Sequence, residues 1–377
     1  MKDLSEIRVE IDKIDREMID LFRRRMDCAK EVAAYKQANH IPVLNTARER
    51  EILDRIEDEG GEYGAYARLL YTNIMELSRS LQHKLLGSGQ EMREMIRNAS
   101  SMLERENVRV AYQGIEGANS HEAALRLFPK AALSHYPSFS DVFAAVSCGE
   151  VTYGVLPVEN STAGSVSAVY DLILQHRFFI VAALDLPIDH YLCGLKQSEL
   201  SDIEIVWSHP QALSQCADYI DKNGYEQRSC ANTAVAARDV AREKRLNVAA
   251  ICSKGAAEQY GLKVLDSHLQ SDGGNTTRFI VISKELIIPD GANKVSLCFS
   301  LPHVQGSLYT LLCRFNSLGL NLTKIESRPI PGKDFEHLFY LDFSGNVHSD
   351  SVTELLSQLK EEMPEFSFLG NYNEESI

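Results

Sequence analysis

Little in this sequence points to metal, nucleotide or membrane chemistry. The eight cysteines (28, 148, 193, 216, 230, 252, 298 and 313) form no CxxC pair. They read as reduced, buried thiols of a cytoplasmic protein, not as a disulfide framework or a zinc site. The segment "SHEAAL" offers one histidine where HExxH needs two, so a metal is not expected. No GxGxxG follows a strand-like run and no Walker loop occurs, which disfavours a nucleotide cofactor. Ser208 and His209 are adjacent and no nucleophile elbow surrounds them, which disfavours a Ser-His nucleophile. No apolar run is long enough to span a bilayer, and "MKDLSEIRVE" has no apolar signal core. Cations are also short. The 39 Lys and Arg against 53 Asp and Glu leave a net charge of −14, which argues against nucleic acid. An anionic ligand must then be held by local cations or helix N-termini, because the global field repels it.

What remains is an ordinary globular composition, 44% hydrophobic and 24% charged over 377 residues, enough for two or three domains. Residues 1–87 have no glycine before Gly60 and a single proline, and they read as helices. Residues 106–285 alternate short apolar runs, turn residues and helical patterns, as an α/β domain does. Residues 294–372 read strand–helix–strand–strand–helix–strand, a ferredoxin-like order. The expected boundaries are thus 1–90, a partly helical linker 91–105, 106–285 and 294–372.

In the first zone, Leu4, Ile7, Ile11, Ile14, Met18, Leu21, Arg25, Cys28, Val32 and Tyr35 recur at three- and four-residue steps. This is a heptad-type seam on one helix roughly 50 Å long. Such a helix overhangs a 90-residue fold, so an intertwined dimer is expected. Arg25 interrupts the seam, and Lys36 lies about three turns on along the same side. The two cations can converge on one small anion. Arg8 is roughly 25 Å from Arg25 along the helix and reaches that anion only from a partner chain. Each cation taken alone reads more readily as a snorkelling surface residue. In "NTARERE", Thr46 and Glu49 have capping-box spacing, and Arg48 with Glu49 can also face a polar pocket. Ser78 and Gln82 share a helix face.

Arg8, Arg25, Lys36, "NTARE" and Ser78-xxx-Gln82 resemble the all-helical chorismate mutase family. The resemblance implies a Claisen rearrangement that needs no cofactor, only two held carboxylates and stabilised charge on the ether oxygen. It implies Arg8 of the other chain, Arg25 and Arg48 as carboxylate holders. Lys36 and Gln82 become donors to the ether oxygen, and Glu49 and Ser78 position the ring. Asn45 also borders this chorismate site, where many members have Asp.

In the second zone four segments share one design, an apolar strand, a Ser/Thr/Asn cluster and a helix. They are "VRVAYQGIEGANSHEAALRLF", "YGVLPVENSTAGSVSAVYDLIL", "IEIVWSHPQALSQCADYI" and "QRSCANTAVAARDVA". Each cluster puts free N–H groups at a helix N-terminus, which suits an anion, though simple capping explains any one of them. The set "PVENSTAGSV", "SHPQALSQC", "NTAVAA", "AAICSKGAAEQYGL" and "NTTRF" closely resembles prephenate dehydratase. The resemblance implies two α/β lobes, periplasmic-binding-protein-like, around a cleft where prephenate loses hydroxide and carbon dioxide to give phenylpyruvate. It implies Thr277 as the essential catalytic group, and Glu159 is the candidate carboxyl to resupply its proton. Asn160, Ser161, Thr162, Ser208, Gln211, Thr233 and Arg278 are the implied binders. Arg278 is read alternatively as a structural ion pair. Alternation puts Thr277 and Arg278 on opposite faces of their strand, leaving Thr276 a local contact. Gly273 and Gly274 allow a sharp turn before it.

In the third zone "HVQGSLYTLL" and "NLTKIESRP" resemble the ACT domain of phenylalanine-sensing dehydratases. That implies an L-phenylalanine site of Gly306, Ser307 and Leu308 with Glu326, Ser327 and Arg328 up to Pro329, between two ACT domains. Read without the resemblance, Gly306 merely starts a helix. Together the resemblances imply a bifunctional enzyme of phenylalanine biosynthesis, a homodimer or tetramer inhibited by L-phenylalanine. The rivals are a monofunctional dehydratase with a helical dimerisation arm, and a non-enzymatic small-acid sensor.

Overall fold

The computed structural model describes residues 3–87, 89–270, 274–330 and 336–376. Its chain packs into two units where sequence composition suggests three zones. One contains residues 1–98 with 297–368, and the other 99–296 with 369–377. The linker, expected at 91–105, is helical from Gln90 to Asn98.

The first unit opens with α1 (Leu4–Asn39), α2 (Thr46–Glu59), α3 (Gly64–Leu86) and α4 (Gln90–Asn98). Helix α1 is unbroken for 36 residues, capped by Asp3 in a capping box with Glu6. Its apolar seam stays open, with Leu4, Ile11, Ile14, Met18, Leu21, Val32 and Tyr35 all exposed, and only Ala29 and Ala33 are buried. Thr46 does not cap α2. Asn45 does, its Oδ1 accepting from the Arg48 N–H at 3.0 Å, because the helix starts one residue earlier than the capping-box spacing suggests.

The second unit runs β1 (Glu106–Gln113), α5 (Asn119–Leu127), β2 (Lys130–Tyr136), α6 (Phe139–Ser147), β3 (Tyr153–Asn160), β4 (Gly164–Ser165), α7 (Ser167–His176) and β5 (Phe179–Pro187). It continues with β6 (Tyr191–Gly194), β7 (Ile205–Ser208), α8 (Pro210–Gln215), α9 (Ala217–Asn223), β8 (Glu226–Ser229), α10 (Thr233–Glu243), β9 (Val248–Cys252), α11 (Lys254–Tyr260), β10 (Lys263–Asp266) and β11 (Thr276–Ser283). The last stretch of chain is β12 (Lys294–Ser300), α12 (Ser307–Ser317), β13 (Leu322–Pro329), β14 (His337–Ser344), α13 (Asp350–Glu362), β15 (Ser367–Tyr372) and β16 (Glu374–Ser376).

Among the described residues the second unit has two sheets, ordered β16-β5-β11-β3-β1-β2, with β4 beside β3, and β10-β6-β9-β7-β8. Each has its own apolar core, around Tyr112, Phe128, Phe279 and Val281 in the first and Trp207, Ala237 and Cys252 in the second. The chain crosses between the sheets twice, from β5 to β6 and back from β10 to β11. Crossing points of this kind leave a crevice at strand ends. Strand β16 was not expected. It pairs in parallel with β5, so the end of the chain joins the first sheet.

The C-terminal module has βαββαβ order and a sheet ordered β13-β14-β12-β15. That is the arrangement of a split βαβ fold. Of the eight cysteines, expected to be buried, Cys28 and Cys148 are exposed. Among the described residues no helix is long and apolar enough to cross a membrane.

Candidate active sites

A pocket of about 350 Å³ lies between α1, α2 and α3, and Arg25, Lys36, Asn45, Arg48, Glu49, Ser78 and Gln82 all line it. Helical periodicity explains the convergence, since Ser78 and Gln82 face α1 one turn apart. Arg25 Nη1 donates to Ser78 Oγ at 2.7 Å, and Gln82 Nε2 donates to the Ser78 carbonyl at 3.2 Å. The Gln82 Oε1 is buried without a partner. Lys36 Nζ donates to the Val43 carbonyl. Burial lowers the Lys36 pKa, with Glu49 opposing and Arg79 reinforcing the shift. Arg48 reaches outward to Glu51 at 2.6 Å. Arg8 does not line this pocket and is exposed on α1. Arg79, which sequence reasoning passed over, is buried in the pocket wall and bonds Glu49.

The second site lies between the two sheets, in a cleft of about 370 Å³. Asn160, Gln211, Thr233 and Thr277 line it, together with the starts of α5, α8 and α10 and Val166 just before α7. Among the described residues no Asp, Glu, Lys or Arg lines it. A dicarboxylate there meets amide, hydroxyl, imidazole and helix N–H groups.

Thr277 sits at the end of β11 with its orientation fixed. Asn160 Oδ1 accepts from the N–H groups of Thr162 at 3.1 Å and Ala163 at 2.9 Å. Its amide nitrogen therefore faces Thr277 and donates to Oγ1 at 2.9 Å. Because Thr277 Oγ1 accepts that bond, its own proton is free to point into the cleft. Asn160 also donates to Asn275 Oδ1 at 2.8 Å, Asn275 donates to Gln215 Oε1 at 3.3 Å, and His190 Nε2 lies 3.0 Å from the same oxygen. Burial lowers the His190 pKa, against the Gln215 bond and Asp189, and leaves its Nδ1 without a partner. Gln215 was legible, four residues after Gln211 on one helix face. Asn275 and His190 carried no local signal beyond lying at the two crossings.

Five expected residues stand elsewhere. Ser208 is buried and donates to the Ile251 carbonyl at 2.6 Å, tying β7 to β9. Ser161 binds the Thr276 N–H at 3.0 Å, which makes Thr276 a local contact, and Thr162 braces Asn160 at 2.7 Å. Glu159 and Arg278 pair in register on the sheet face opposite Thr277, 3.3 Å apart. Arg278 also binds Asp185 at 2.9 Å and Glu374 of β16 at 2.7 Å. Burial opposes its charge, but Asp185, Glu374 and Glu159 outweigh it and raise the pKa. The structure thus makes Glu159 an ion-pair partner of Arg278, on the face away from Thr277. We expect Arg278→Ala to lower the unfolding free energy by about 3–5 kcal/mol, because three carboxylates lose their cation. Denaturant unfolding checks this. An unchanged unfolding curve with a raised KM for prephenate would return Arg278 to the binding site.

Of the glycine pair before β11, Gly273 lies outside the described residues. Gly274 has φ +116°, a backbone state that glycine adopts freely. A neighbouring cavity of about 810 Å³ shares Asn119 and Ile188 with the cleft but carries charges of both signs and no expected site residue. In the C-terminal module Gly306 N-caps α12 at φ +87° with open space around it, so the backbone angle demands glycine. Ser307 Oγ lies 2.8 Å from the Pro302 carbonyl, and Leu308 is exposed. On the edge strand β13, Glu326 and Arg328 point to one face and Ser327 to the other.

Two family models match the chain, chorismate mutase type II over residues 7–83 and prephenate dehydratase over residues 110–286. The bifunctional chorismate mutase/prephenate dehydratase of Aquifex aeolicus is 33% identical over 99% of this chain and 98% of its own length. That of Escherichia coli strain K12 is 31% identical over 99% and 97%. A solved prephenate dehydratase from Arthrobacter aurescens, in complex with L-Phe, superposes with a TM-score of 0.65 at 30% identity, covering 70% of this chain and 89% of that one. With a helical mutase domain, an isomerase, followed by an α/β dehydratase domain, a lyase, the chain belongs to the bifunctional chorismate mutase/prephenate dehydratase family of phenylalanine biosynthesis.

Proposed function

We propose that chorismate rearranges in the α1–α3 pocket, that prephenate reacts in the cleft between the two sheets, and that L-phenylalanine inhibits the enzyme at its C-terminal ACT module. The observation that carries the two-step reading is the convergence of Arg25, Lys36, Arg48 and Gln82 on one pocket. A helix serving only as a dimerisation arm has no use for three cations and a buried amide gathered around one cavity.

In the first step one C–O bond breaks and one C–C bond forms within a single molecule. The pocket need only hold the reactive conformer and stabilise charge on the ether oxygen. Arg25 and Arg48 hold carboxylates, Lys36 and Gln82 donate to the ether oxygen, and Glu49 and Ser78 set the ring. Arg8 comes from a second copy, and the open seam of α1 supports that copy. In the second step the C–CO₂ bond breaks and its electron pair aromatises the ring. Hydroxide departs with a proton as water. Thr277 donates to the departing oxygen, Asn160 aims Thr277, and Gln211 and Thr233 bind carboxylates beside the helix N-termini. Among the described residues no carboxyl lines the cleft, and in this reading the consumed proton is taken from solvent.

The effector reading rests on the βαββαβ order of the module and on the L-Phe complex of the Arthrobacter relative. Cysteine usage supports a cytoplasmic location. The test is an assay started with chorismate, following prephenate and phenylpyruvate with and without phenylalanine. We expect phenylpyruvate to accumulate and phenylalanine to slow it. Glu326→Ala or Ser327→Ala should weaken inhibition and spare uninhibited turnover; unchanged inhibition curves would remove the effector site from β13. Untouched chorismate beside consumed prephenate would favour the dimerisation arm, and prephenate binding without turnover would favour the sensor.

A further inference from the structure

The α1–α3 pocket has a wall that substrate chemistry does not explain. Arg79 follows Ser78 on α3, and its guanidinium bonds Glu49 inside the pocket and Glu76 behind it. Glu362, from the last turn of α13, has Oε1 3.7 Å from Arg79 Nε. Glu362 also bonds Arg314 of α12, and Arg314 Nε donates to Glu76 at 2.8 Å. The four side chains close a ring, Arg79–Glu76–Arg314–Glu362, with each at most 8% exposed. His83 Nε2 approaches Glu362 at 2.8 Å from one side. Burial pushes the Glu362 pKa up, but His83, Arg314 and Arg79 outweigh it and hold it at about 2.

Two carboxylates and two guanidiniums make the ring neutral. Burying four charges is costly, and well-packed apolar residues often serve stability as well or better. What the ring does supply is a fixed position for one guanidinium. Arg79 has a further partner outside it, and that partner is Glu49, a pocket-lining carboxylate. Arg79 also bears on Lys36 across the pocket, helping to lower its pKa alongside burial. The position of Glu49 therefore follows from Arg79, and the position of Arg79 from residues of the C-terminal module.

We propose that Arg79 is a positioning residue of the mutase pocket, held in place by Glu362 and Arg314 of the C-terminal module. This rests on assigning the α1–α3 pocket to chorismate. The module is then part of the mutase machinery as well as an effector platform. Glu49 holds the ring in ground and transition states alike, so loosening it raises KM for chorismate more than it lowers kcat.

The test uses the full chain with Glu362→Gln, which keeps the shape and removes the charge. We expect mutase kcat/KM to fall about tenfold, the loss of one charged hydrogen bond, chiefly through KM. Dehydratase turnover of prephenate should stay unchanged. Arg79→Met should show the same KM-dominated loss, and adding Glu362→Gln to it should cost nothing more, since the second residue acts through the first. Normal mutase kinetics in Glu362→Gln, or additive losses, would overturn the proposal. If Glu362→Gln lowers the melting temperature, Arg314→Gln is added to restore neutrality. A recovered fold with KM still raised supports positioning, and recovery of both assigns the ring to stability alone. Arg25→Ala serves as the control on the pocket itself: if it leaves the mutase intact, the pocket assignment fails, whatever Glu362→Gln does.

Discussion

Thr277→Ala should slow phenylpyruvate formation from prephenate by about 10²–10⁴-fold, the usual size of a lost proton donor. The effect follows from geometry. Asn160 donates to Thr277 Oγ1, so the hydroxyl proton has no protein acceptor on that side and serves the leaving oxygen. Charge on that oxygen develops only as the C–O bond breaks, so the loss falls on kcat and leaves KM nearly unchanged. Thr277→Ser keeps the hydroxyl and should recover much of the rate, limited by the freer χ1 of serine. Asn160→Asp replaces the donor aimed at Thr277 with an acceptor and should lower kcat as well. Thr277 lies at the end of its strand, and its removal exposes no cavity in the apolar core around Phe279 and Val281, so the unfolding curve should barely move. Steady-state assays on prephenate with parallel unfolding measurements decide the matter. A Thr277→Ala enzyme of wild-type kcat would leave the cleft a binding site without chemistry.

Arg25→Ala should lower mutase kcat/KM by about a hundredfold or more, because a desolvated carboxylate loses its cation. Arg8→Ala should do the same from the other side of a shared site. The two variants separate when mixed. After subunit exchange about half the dimers carry one chain of each kind, and in each such dimer one of the two sites regains both cations. Mutase activity should return to about a quarter of wild type, although neither parent is active. The physical ground is α1 itself, whose apolar seam is open along most of its length. If exchanged heterodimers stay inactive, Arg8 works within its own chain or not at all. Dehydratase activity, which needs neither residue, measures how much folded enzyme is in the mixture.

Periodicity carried the sequence reading as far as local patterns reach. The steps of α1 and the Ser78–Gln82 pair are helical spacings, and a pocket at their meeting point follows from the spacing alone. The opposition of Thr277 and Arg278 is strand alternation. What failed was whatever depends on a distant partner. Arg278 is claimed by Asp185 and Glu374, residues of two other strands, so its role is set by sheet order and not by its own motif. Ser208 looks like a ligand beside "HPQ" until β9 brings the Ile251 carbonyl against it. Arg79 sits one position off the polar stripe and becomes legible only when α13 arrives with Glu362. The unexpected β16 is three residues long, too short for any pattern to mark.

The nesting of the two units has a consequence for how the protein is made and cut. Each is assembled from two stretches of chain separated by part of the other, so during synthesis the first cannot close before residues 297–368 emerge, nor the second before 369–377. The helical segment must wait through the whole α/β insertion before α12 and α13 bring Arg314 and Glu362. A gene fragment trimmed to residues 106–285 would lose β16, leaving β5 as a bare edge strand, prone to pair with other chains, and Arg278 with one carboxylate fewer. The three zones visible in the sequence are therefore poor cloning boundaries.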